Sequence, residues 1–309
     1  MDISVIIVTY NSASSIADCL QSVQDQQGVQ REIILLDNAS SDETIRIVRQ
    51  VRRGALTAPI PSSSSELNFT LLENRENVGF GRACNQGFTA SKGRYVYLLN
   101  PDAQLIGTDA LATLCRALAE HKNWGMAGSR VVSTNGEWKK PATTYPDQSH
   151  VRKDFSQLPG KIAWVVGASM IVRREVYAEL GGFDPDFFLY SEETDFCLRL
   201  RERGHEIGLV EQAAVRHIGG ASESGRDPYD VWSRRSTGLH LFWRKHYPPD
   251  DVQRLLRRNR FRARYRMLVN GWLARIQPPK STAWQKHRRY RAVWETCSKS
   301  LQRPQKDRQ

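Results

Sequence analysis

Residues 3–42 read ISVIIVTYNSASSIADCLQSVQDQQGVQREIILLDNASSD and contain two apolar runs separated by an amphipathic segment. The runs, residues 3–8 and 32–36, are rich in β-branched and aliphatic side chains, and polar residues follow each of them. Between the runs, Ile16, Leu20 and Val23 recur at helical spacing. A strand, a helix and a second strand that is apolar on both faces indicate a parallel β-sheet covered by helices, the α/β class.

The same alternation of strands and helices continues towards residue 217. Further strands are predicted at residues 68–72, 95–99, 125–132, 164–172 and 206–210. Helices are predicted at residues 12–26, 43–51, 81–91, 109–120 and 192–203. Two prolines and four consecutive serines at residues 52–66 are typical of an exposed insertion. We predict an α/β domain at residues 1–230 and a basic helical extension at residues 231–309.

The length and composition are those of a globular protein. The chain has 309 residues, of which 40% are hydrophobic and 25% are charged, unlike disordered or collagen-like chains. Its five cysteines are odd in number and lack paired spacing, which favours a reduced cytosolic protein. The N-terminus leads directly into the first strand, and no window approaches the roughly 18–20 apolar residues of a membrane span. We therefore expect a cytoplasmic location.

The positive charge is concentrated in the C-terminal extension. The whole chain carries +12, whereas residues 231–309 contain 21 Lys and Arg against 4 Asp and Glu, which leaves −5 for the preceding residues. Such a segment indicates a polyanionic partner, either anionic lipid or nucleic acid. Its apolar residues recur on one helical face and are Tyr265, Leu268, Val269, Trp272, Leu273 and Ile276. We expect this face either to pack on its own domain or to lie on a membrane, such as the inner face of the cytoplasmic membrane.

Polar clusters follow three of the predicted strands, at the end where parallel α/β sheets bind ligands. The clusters are Thr9-Tyr10-Asn11, Asp37-Asn38 and Asn100-Pro101-Asp102. A carboxylate after the second strand can accept a hydrogen bond from a ribose or a base, and an Asp after a later strand can hold a divalent cation. The alternative for each Asp is that it caps the helix that follows.

The ordered motifs resemble those of family 2 inverting glycosyltransferases, which have the GT-A fold, a Rossmann-like and mostly parallel sheet flanked by helices. The resemblance runs from Ile3 to about Ser222 and includes the three clusters. Its other motifs are Asn77-Val78-Gly79-Phe80-Gly81 with Asn85, Gly182-Phe183-Asp184, Phe187-Phe188-Leu189-Tyr190-Ser191-Glu192-Glu193-Thr194-Asp195, and His217. The Asn-Pro-Asp cluster and the segment that begins at Phe187 resemble bacterial rhamnosyltransferases of cell-surface polysaccharide assembly.

The resemblance implies a role for each strand-end residue. The residues that would contact the nucleotide are Thr9, Tyr10, Asp37, Gly79, Asn85 and Asn100. Asp102 matches the last acid of the family's Asp-x-Asp element and would hold a divalent metal, Mg²⁺ or Mn²⁺, on the diphosphate. Asn100 stands where that element has its first acid, so one anionic ligand is missing. His217 matches a histidine that ligates metal in some relatives, whereas a lone histidine after a strand is otherwise usually structural.

Three acids at the start of the predicted helix at residues 192–203 are candidates for the catalytic base. The resemblance places the base on Glu193, the second acid of a pair, and leaves Glu192 and Asp195 open as alternatives. A base that removes the acceptor proton typically contributes ~10²–10⁴-fold. Acids in a first helical turn also complement the helix dipole, which is the structural alternative for one of them. Trp164 is a candidate for the acceptor site, because relatives shape that site with the corresponding region.

The resemblance implies a metal-assisted single displacement. Rhamnose from dTDP-rhamnose is the expected sugar, and a hydroxyl of a glycan or lipid-linked glycan is the expected acceptor. One alternative is a nucleotidyltransferase, but residues 9–12 lack the Gly-rich, Arg- or Lys-bearing loop that activates an α-phosphate. Another is a nucleic-acid-binding protein whose extension uses Tyr265, Trp272 and Arg264. We expect no nucleic acid, because the apolar residues gather on one helical face.

Overall fold

The computed structural model describes residues 1–53, 68–219, 225–277 and 280–302. The strands are β1 Ile3–Thr9, β2 Arg31–Asp37, β3 Asn68–Glu73, β4 Tyr95–Leu99, β5 Ala103–Leu105, β6 Trp124–Val132, β7 Ser169–Arg173 and β8 Glu206–His217. The α-helices are α1 Ile16–Gln24, α2 Thr44–Arg52, α3 Phe80–Ala90, α4 Ala110–Glu120, α5 Arg174–Glu179, α6 Glu192–Glu202, α7 Pro228–His246, α8 Pro249–Ile276 and α9 Thr282–Gln302. The predicted insertion at residues 52–66 lies almost wholly outside the described residues.

The parallel part of the sheet consists of β1 to β4. β1 pairs in parallel with β2 and β4, and β2 pairs in parallel with β3. Every residue of β1 is buried, because the strand lies between two others and helices cover both faces. Thr9 lies opposite Asp37, and Ile7 lies opposite Leu99. The polar clusters that follow β1, β2 and β4 therefore meet at one edge of the sheet.

The side chains of β1 alternate between two apolar cores, one on each face of the sheet. Ile3, Val5 and Ile7 join the core that contains α1, α2 and α4. Ile6 and Val8 join the core that contains α3, α5 and α6. This arrangement of helices on both faces confirms the predicted α/β class.

The second part of the sheet is mixed, and the strand order is β3-β2-β1-β4-β7-β6-β8-β5. β7 runs antiparallel to β4 and β6, while β8 runs parallel to β6. β8 continues to His217, well beyond its predicted end at residue 210. The short strand β5 pairs antiparallel with the end of β8, so that Ala103 lies opposite His217.

The predicted strand at residues 164–172 is wrong in its first half. β7 begins only at Ser169, and Trp164 forms an isolated bridge with Ala142. A turn at Gly167 and Ala168 separates the two extended pieces. Apart from this strand and β8, the predicted elements begin and end within four residues of the observed bounds.

Contacts between residues divide the chain into two units. The first contains the sheet and comprises Met1–Thr144, Leu158–Phe188 and Glu193–Ser222. The second comprises Tyr145–Gln157, Leu189–Glu192 and Glu223–Gln309. The boundary placed at residue 230 from the sequence falls in the first turn of α7.

The second unit is helical and has its own core. α9 packs against α8 and α7. An aromatic cluster joins residues 145–157 to the end of α7, and its members are Tyr145, Phe155, Phe242 and Tyr247. The buried Asp251 at the start of α8 accepts a hydrogen bond from the backbone N–H of Arg152 at 2.7 Å. Among the helices described here, none is both long enough and apolar enough to cross a bilayer.

Candidate functional site

The Asp37 carboxylate is buried at the end of β2, on the edge where the polar clusters meet. It accepts hydrogen bonds from the Thr9 hydroxyl at 2.8 Å and from the N–H and hydroxyl of Ser40 at 2.9 and 2.6 Å. The intervening Ala39 has a φ of 61°, a left-handed conformation that closes this tight loop. Asp37 does not cap α2, because the first N–H of that helix donates to Asp42 instead.

The loops that follow β1 and β2 are tied to each other around Asn11. Its N–H donates to the hydroxyl of Ser40 at 2.9 Å, and its side-chain oxygen accepts from the N–H of Ser41 at 2.8 Å. Asn11 has a φ of 51°. The half-buried Tyr10 is thus held on a loop next to the one that follows Asp37.

Gly79 lies at a close crossing of two backbone segments before α3. Its φ is 91°, and a Cβ at this position would lie 2.5 Å from the carbonyl oxygen of Phe188. That oxygen accepts the N–H of Phe80 at 3.0 Å, and the Gly79 carbonyl accepts from the Asn38 amide at 3.1 Å. The crossing requires glycine, and it links Phe188 to the loop that begins with Asp37.

The Asn85 amide, on α3, is engaged in structural contacts. Its oxygen accepts from the Tyr177 hydroxyl at 2.8 Å and from the Phe183 N–H at 2.9 Å, and its nitrogen donates to the Phe183 carbonyl at 2.8 Å. A side chain at Gly182 would collide with this amide. Asn85 therefore holds the turn before Phe183, and its contact with a nucleotide stays a prediction.

Asp102 and His217 come together because β5 pairs with the end of β8. His217 Nε2 lies 3.1 Å from Asp102 Oδ1, and the Gly219 N–H donates to Asp102 Oδ2 at 3.2 Å. The amide nitrogen of Asn100 lies 3.5 Å from the same ring nitrogen. Both Asp102 and His217 are buried, and His217 Nδ1 has no hydrogen-bond partner among the described residues. Asp102 therefore pairs with a histidine rather than capping α4.

The Asp102–His217 pair fits a divalent cation of the predicted kind. Neighbouring ligands of an octahedral ion with bonds of about 2.1 Å lie about 3 Å apart, which agrees with the 3.1 Å between Asp102 Oδ1 and His217 Nε2. Within the part of the chain that the structure describes, no third His, Cys, Asp or Glu joins the pair. The diphosphate of a donor and water would have to supply the other ligands.

Lys139 places a cation near this pair, and sequence reasoning missed it. Its Nζ lies 3.1 Å from where a Cβ on Gly219 would be, and the Gly219 N–H donates to Asp102. An ammonium group at this place can contact a phosphate oxygen. No motif marks Lys139, because it follows β6 in an irregular segment and only the fold brings it to residue 219.

Asp195, one of the three candidate bases on α6, is committed to an ion pair. Its carboxylate is 1% exposed and accepts from Arg199 Nε at 2.8 Å. The Arg199 guanidinium also donates to the carbonyls of Leu180 and Gly182, both at 2.9 Å. These contacts give Asp195 a structural task, namely to hold the arginine that closes the turn after α5.

Glu193 has the most access to a ligand among the three acids. Its side chain is half-buried, whereas Glu192 is buried like Asp195. The Glu193 side chain borders Gly167, where a Cβ would lie 3.4 Å from that of Glu193. The two residues before the helix, Tyr190 and Ser191, have φ values of 72° and 71°. Such conformations are costly for residues other than glycine and concentrate at functional sites.

Trp164 belongs to the segment that leads to Gly167. Its indole N–H donates to the carbonyl of Thr144 at 3.2 Å, and the ring is half-buried. The structure thus groups the predicted residues into three sets. The sets are Asp37 with Thr9 and Tyr10, Asp102 with Asn100 and His217, and Glu193 with the segment that carries Trp164.

Comparison with known proteins gives two matching family profiles. The profile described as glycosyl transferase family 2 matches residues 4–181. The profile described as glycosyl transferase family group 2 matches residues 95–298.

Two similar proteins are named rhamnosyltransferases. The N-acetylglucosaminyl-diphospho-decaprenol L-rhamnosyltransferase of Mycobacterium tuberculosis is 26% identical over 274 residues, which cover 77% of this chain and 82% of that protein. An O-antigen chain rhamnosyltransferase of Salmonella typhimurium is 22% identical over 234 residues, which cover 70% of this chain and 66% of that protein. A solved mannosyltransferase from Pyrobaculum calidifontis, in complex with GDP-Man and Mn²⁺, has a TM-score of 0.57 at 19% identity, over 96% of this chain and 73% of that one. At 19% identity, the likeness to this solved structure shows a shared fold alone.

Proposed function

The chain belongs to glycosyl transferase family 2, and we propose that it moves a sugar from a nucleotide-diphosphate donor to an acceptor hydroxyl with inversion at the anomeric carbon. The observation that carries this proposal is the position of the Asp102–His217 pair, just beyond the end of β4. Asp37 and Thr9 lie at the same edge of the sheet. The candidate site for a diphosphate and its cation, at Asp102 and His217, would therefore lie near the candidate site for a nucleoside, at Asp37 and Thr9.

Asp37 is the group that would receive the nucleoside. The Thr9 hydroxyl and the two donors of Ser40 fix the orientation of its carboxylate. A carboxylate has about four acceptor positions, so these three donors leave room for one more hydrogen bond. A ribose hydroxyl or a base N–H supplies a donor of this kind.

Glu193 would act as the base in a single displacement. The acceptor oxygen bonds to the anomeric carbon as the bond from that carbon to the diphosphate breaks, and the Glu193 carboxylate takes the hydroxyl proton. Asp102 and His217 would hold a divalent cation, which supplies positive charge against the charge of the departing diphosphate. The Lys139 ammonium adds a second positive charge on the same side. No covalent sugar–enzyme intermediate is needed.

We propose dTDP-rhamnose as the donor and a glycan or lipid-linked glycan as the acceptor. The names of the Mycobacterium tuberculosis and Salmonella typhimurium relatives support rhamnose, and the first of them supports a lipid-linked acceptor. An acceptor of this kind would place the enzyme at the inner face of the cytoplasmic membrane.

A donor screen tests the proposal. Purified protein is incubated with Mg²⁺ or Mn²⁺ and dTDP-rhamnose, UDP-hexoses or GDP-mannose, with and without a polyprenyl-diphosphate-linked sugar, and the released nucleoside diphosphate is measured. We expect dTDP release that depends on the acceptor. Release of a sugar 1-phosphate would indicate nucleotidyl transfer instead, and absence of nucleoside diphosphate with every donor would contradict glycosyl transfer.

A further inference from the structure

Helix α8 carries an apolar stripe that is exposed. Its members are Phe261, Tyr265, Leu268, Val269, Trp272 and Ile276, with exposed fractions of 75, 66, 61, 44, 65 and 67%. They recur at i, i+4, i+7, i+8, i+11 and i+15, which confines them to an arc of about 100° along about 22 Å of helix. Six large side chains on one arc form a contiguous patch of the kind that marks an interaction site.

The opposite face of the same helix already packs in the second unit. Val252, Leu255, Leu256 and Ala263 are buried there, and helical spacing places the centre of this set about 150° from the centre of the apolar stripe. Leu273 is half-buried at the border between the two faces. These buried residues, and not the apolar stripe, therefore pack α8 in the second unit. The stripe remains exposed.

Arginines surround the apolar stripe. After Asp251, α8 contains no acid. Arg254 pairs with Asp251, and Arg266 donates to the Tyr290 hydroxyl at 3.2 Å. Among the described residues, no carboxylate forms an ion pair with the other arginines of this helix, which are Arg257, Arg258, Arg260, Arg262, Arg264 and Arg275.

We propose that the apolar stripe docks on an anionic lipid bilayer. Arg257 and Arg264 flank the stripe on one side and Arg262 on the other, and all three are exposed, so that they can contact headgroup phosphates. Leu268 and Trp272, near its middle, enter the boundary with the acyl chains, where tryptophan is favoured. This proposal rests on the proposed function in one respect only: the benefit of docking would be access to a lipid-linked acceptor.

Charge favours lipid over the other occupants. A second copy that docked by the same stripe would bring two rows of arginines together, which opposes association. A single-stranded nucleic acid would use the arginines and the aromatic rings, but it would leave Leu268, Val269 and Ile276 in water. An anionic bilayer satisfies both the cationic and the aliphatic members of this face.

The test uses full-length protein and co-sedimentation with vesicles of phosphatidylcholine alone or with phosphatidylglycerol. Removal of residues after Asp250 would also remove the buried face of α8, so substitutions are preferable. We expect binding to the anionic vesicles only. The variant R257Q/R262Q/R264Q should bind about 100-fold more weakly at low salt, at about fivefold for each arginine. The variant L268A/W272A should lose the part of binding that resists salt, by at least about tenfold.

A control of equal charge change is R53Q/R116Q/K122Q, at three exposed positions of the first unit, and it should bind like the wild type. Circular dichroism and thermal unfolding check the fold of each variant. Absence of binding to anionic vesicles at low salt, or full binding by L268A/W272A, would overturn the proposal. A wild-type dimer that L268A/W272A converts to a monomer would identify the stripe as a self-association surface, and loss of RNA binding alone in that variant would identify a nucleic-acid surface.

The vesicle assay contains no sugar donor, so it is independent of the proposed reaction. Transfer to a soluble acceptor analogue is measured in parallel. Docking without transfer would contradict the proposed function but not the docking proposal. Transfer without docking would contradict the docking proposal but not the proposed function.

Discussion

Asp102 is the residue whose loss should separate chemistry from folding most clearly. In Asp102→Asn the side chain keeps its size and can still accept the Gly219 N–H, which lies 3.2 Å from the carboxylate. The charge that would hold the proposed cation is lost. We expect transfer to fall by at least ~10²-fold, with little change in the unfolding temperature.

His217 provides the companion measurement for this site. His217→Ala should shift the metal titration of transfer less severely than Asp102→Asn, because it removes one of the two proposed ligands and leaves the carboxylate. Full activity of Asp102→Asn in the presence of a chelator would exclude a cation at this pair. An unchanged metal titration in His217→Ala would give the histidine a structural role.

Glu193 and Asp195 offer a matched comparison on one helix. Glu193→Gln should bind the donor normally and lose at least ~10²-fold in kcat, the low end for a general base. Asp195→Asn should instead lower the free energy of unfolding by about 1–3 kcal/mol, because Arg199 loses its buried charged partner. Donor binding, kcat and thermal unfolding are measured for both variants. If Asp195→Asn or Glu192→Gln is the stable variant that binds donor without transfer, the base is not Glu193.

Lys139 and Lys140 form a second matched pair of neighbours. Lys139 approaches Gly219, whereas Lys140 is exposed and lies over the Trp138 ring. If the Lys139 ammonium contacts the diphosphate, Lys139→Gln should raise the KM for the donor by about tenfold, in line with a lost charge-assisted hydrogen bond. Lys140→Gln should leave KM unchanged. Equal effects of the two substitutions would point to general electrostatic attraction.

At the scale of elements, the start of α3 depends on the crossing at Gly79. Gly79→Ala combines an unfavourable φ with an overlap on the Phe188 carbonyl oxygen. Gly181→Ala is the control, because Gly181 also has a positive φ of 69° but would meet no atom within 4 Å. We expect Gly181→Ala to cost about 1 kcal/mol and Gly79→Ala to cost clearly more in thermal unfolding. Similar losses would mean that the two segments can move apart.

The packing of α7 on α9 should be sensitive to acid through His240. Burial, followed by the charge of Arg244, lowers the pKa of His240 to about 3, and the ring contacts Ser300 and Cys297. The unfolded chain binds a proton near pH 6.5, whereas the folded protein does not until about pH 3. The stability from a neutral His240 is therefore complete above pH 6.5 and is lost as the pH falls towards 3.

His240→Gln tests this dependence on pH, because glutamine does not titrate. The variant should be less stable than the wild type at pH 7, but its unfolding temperature should decline less between pH 7 and pH 5. Parallel declines in both proteins would assign the acid sensitivity to other groups.

For the whole molecule, the sequence predicted those features that depend on short-range pattern. Apolar periodicity indicated the strands and helices of the first half, and motif order indicated the three polar clusters at one sheet edge. It did not predict the break at Gly167, because residues 164–172 are apolar on both sides of a turn that tertiary packing imposes. The Lys139–Gly219 approach and the Asn85–Phe183 contacts join residues far apart in the chain, and a single sequence carries no signal for such pairs.

The Gly79 crossing has a consequence for laboratory evolution of this enzyme. The crossing involves the main-chain oxygen of Phe188, while the Phe188 side chain is 46% exposed. Every amino acid other than proline supplies the same backbone at position 188. A saturation library there can therefore vary the surface beside the candidate site without disturbing the crossing at Gly79. Position 79, in contrast, should return only glycine from any selection for activity. Position 188, which can be varied, thus contacts position 79, which cannot. Variants at position 188 would therefore keep the same backbone contact at Gly79.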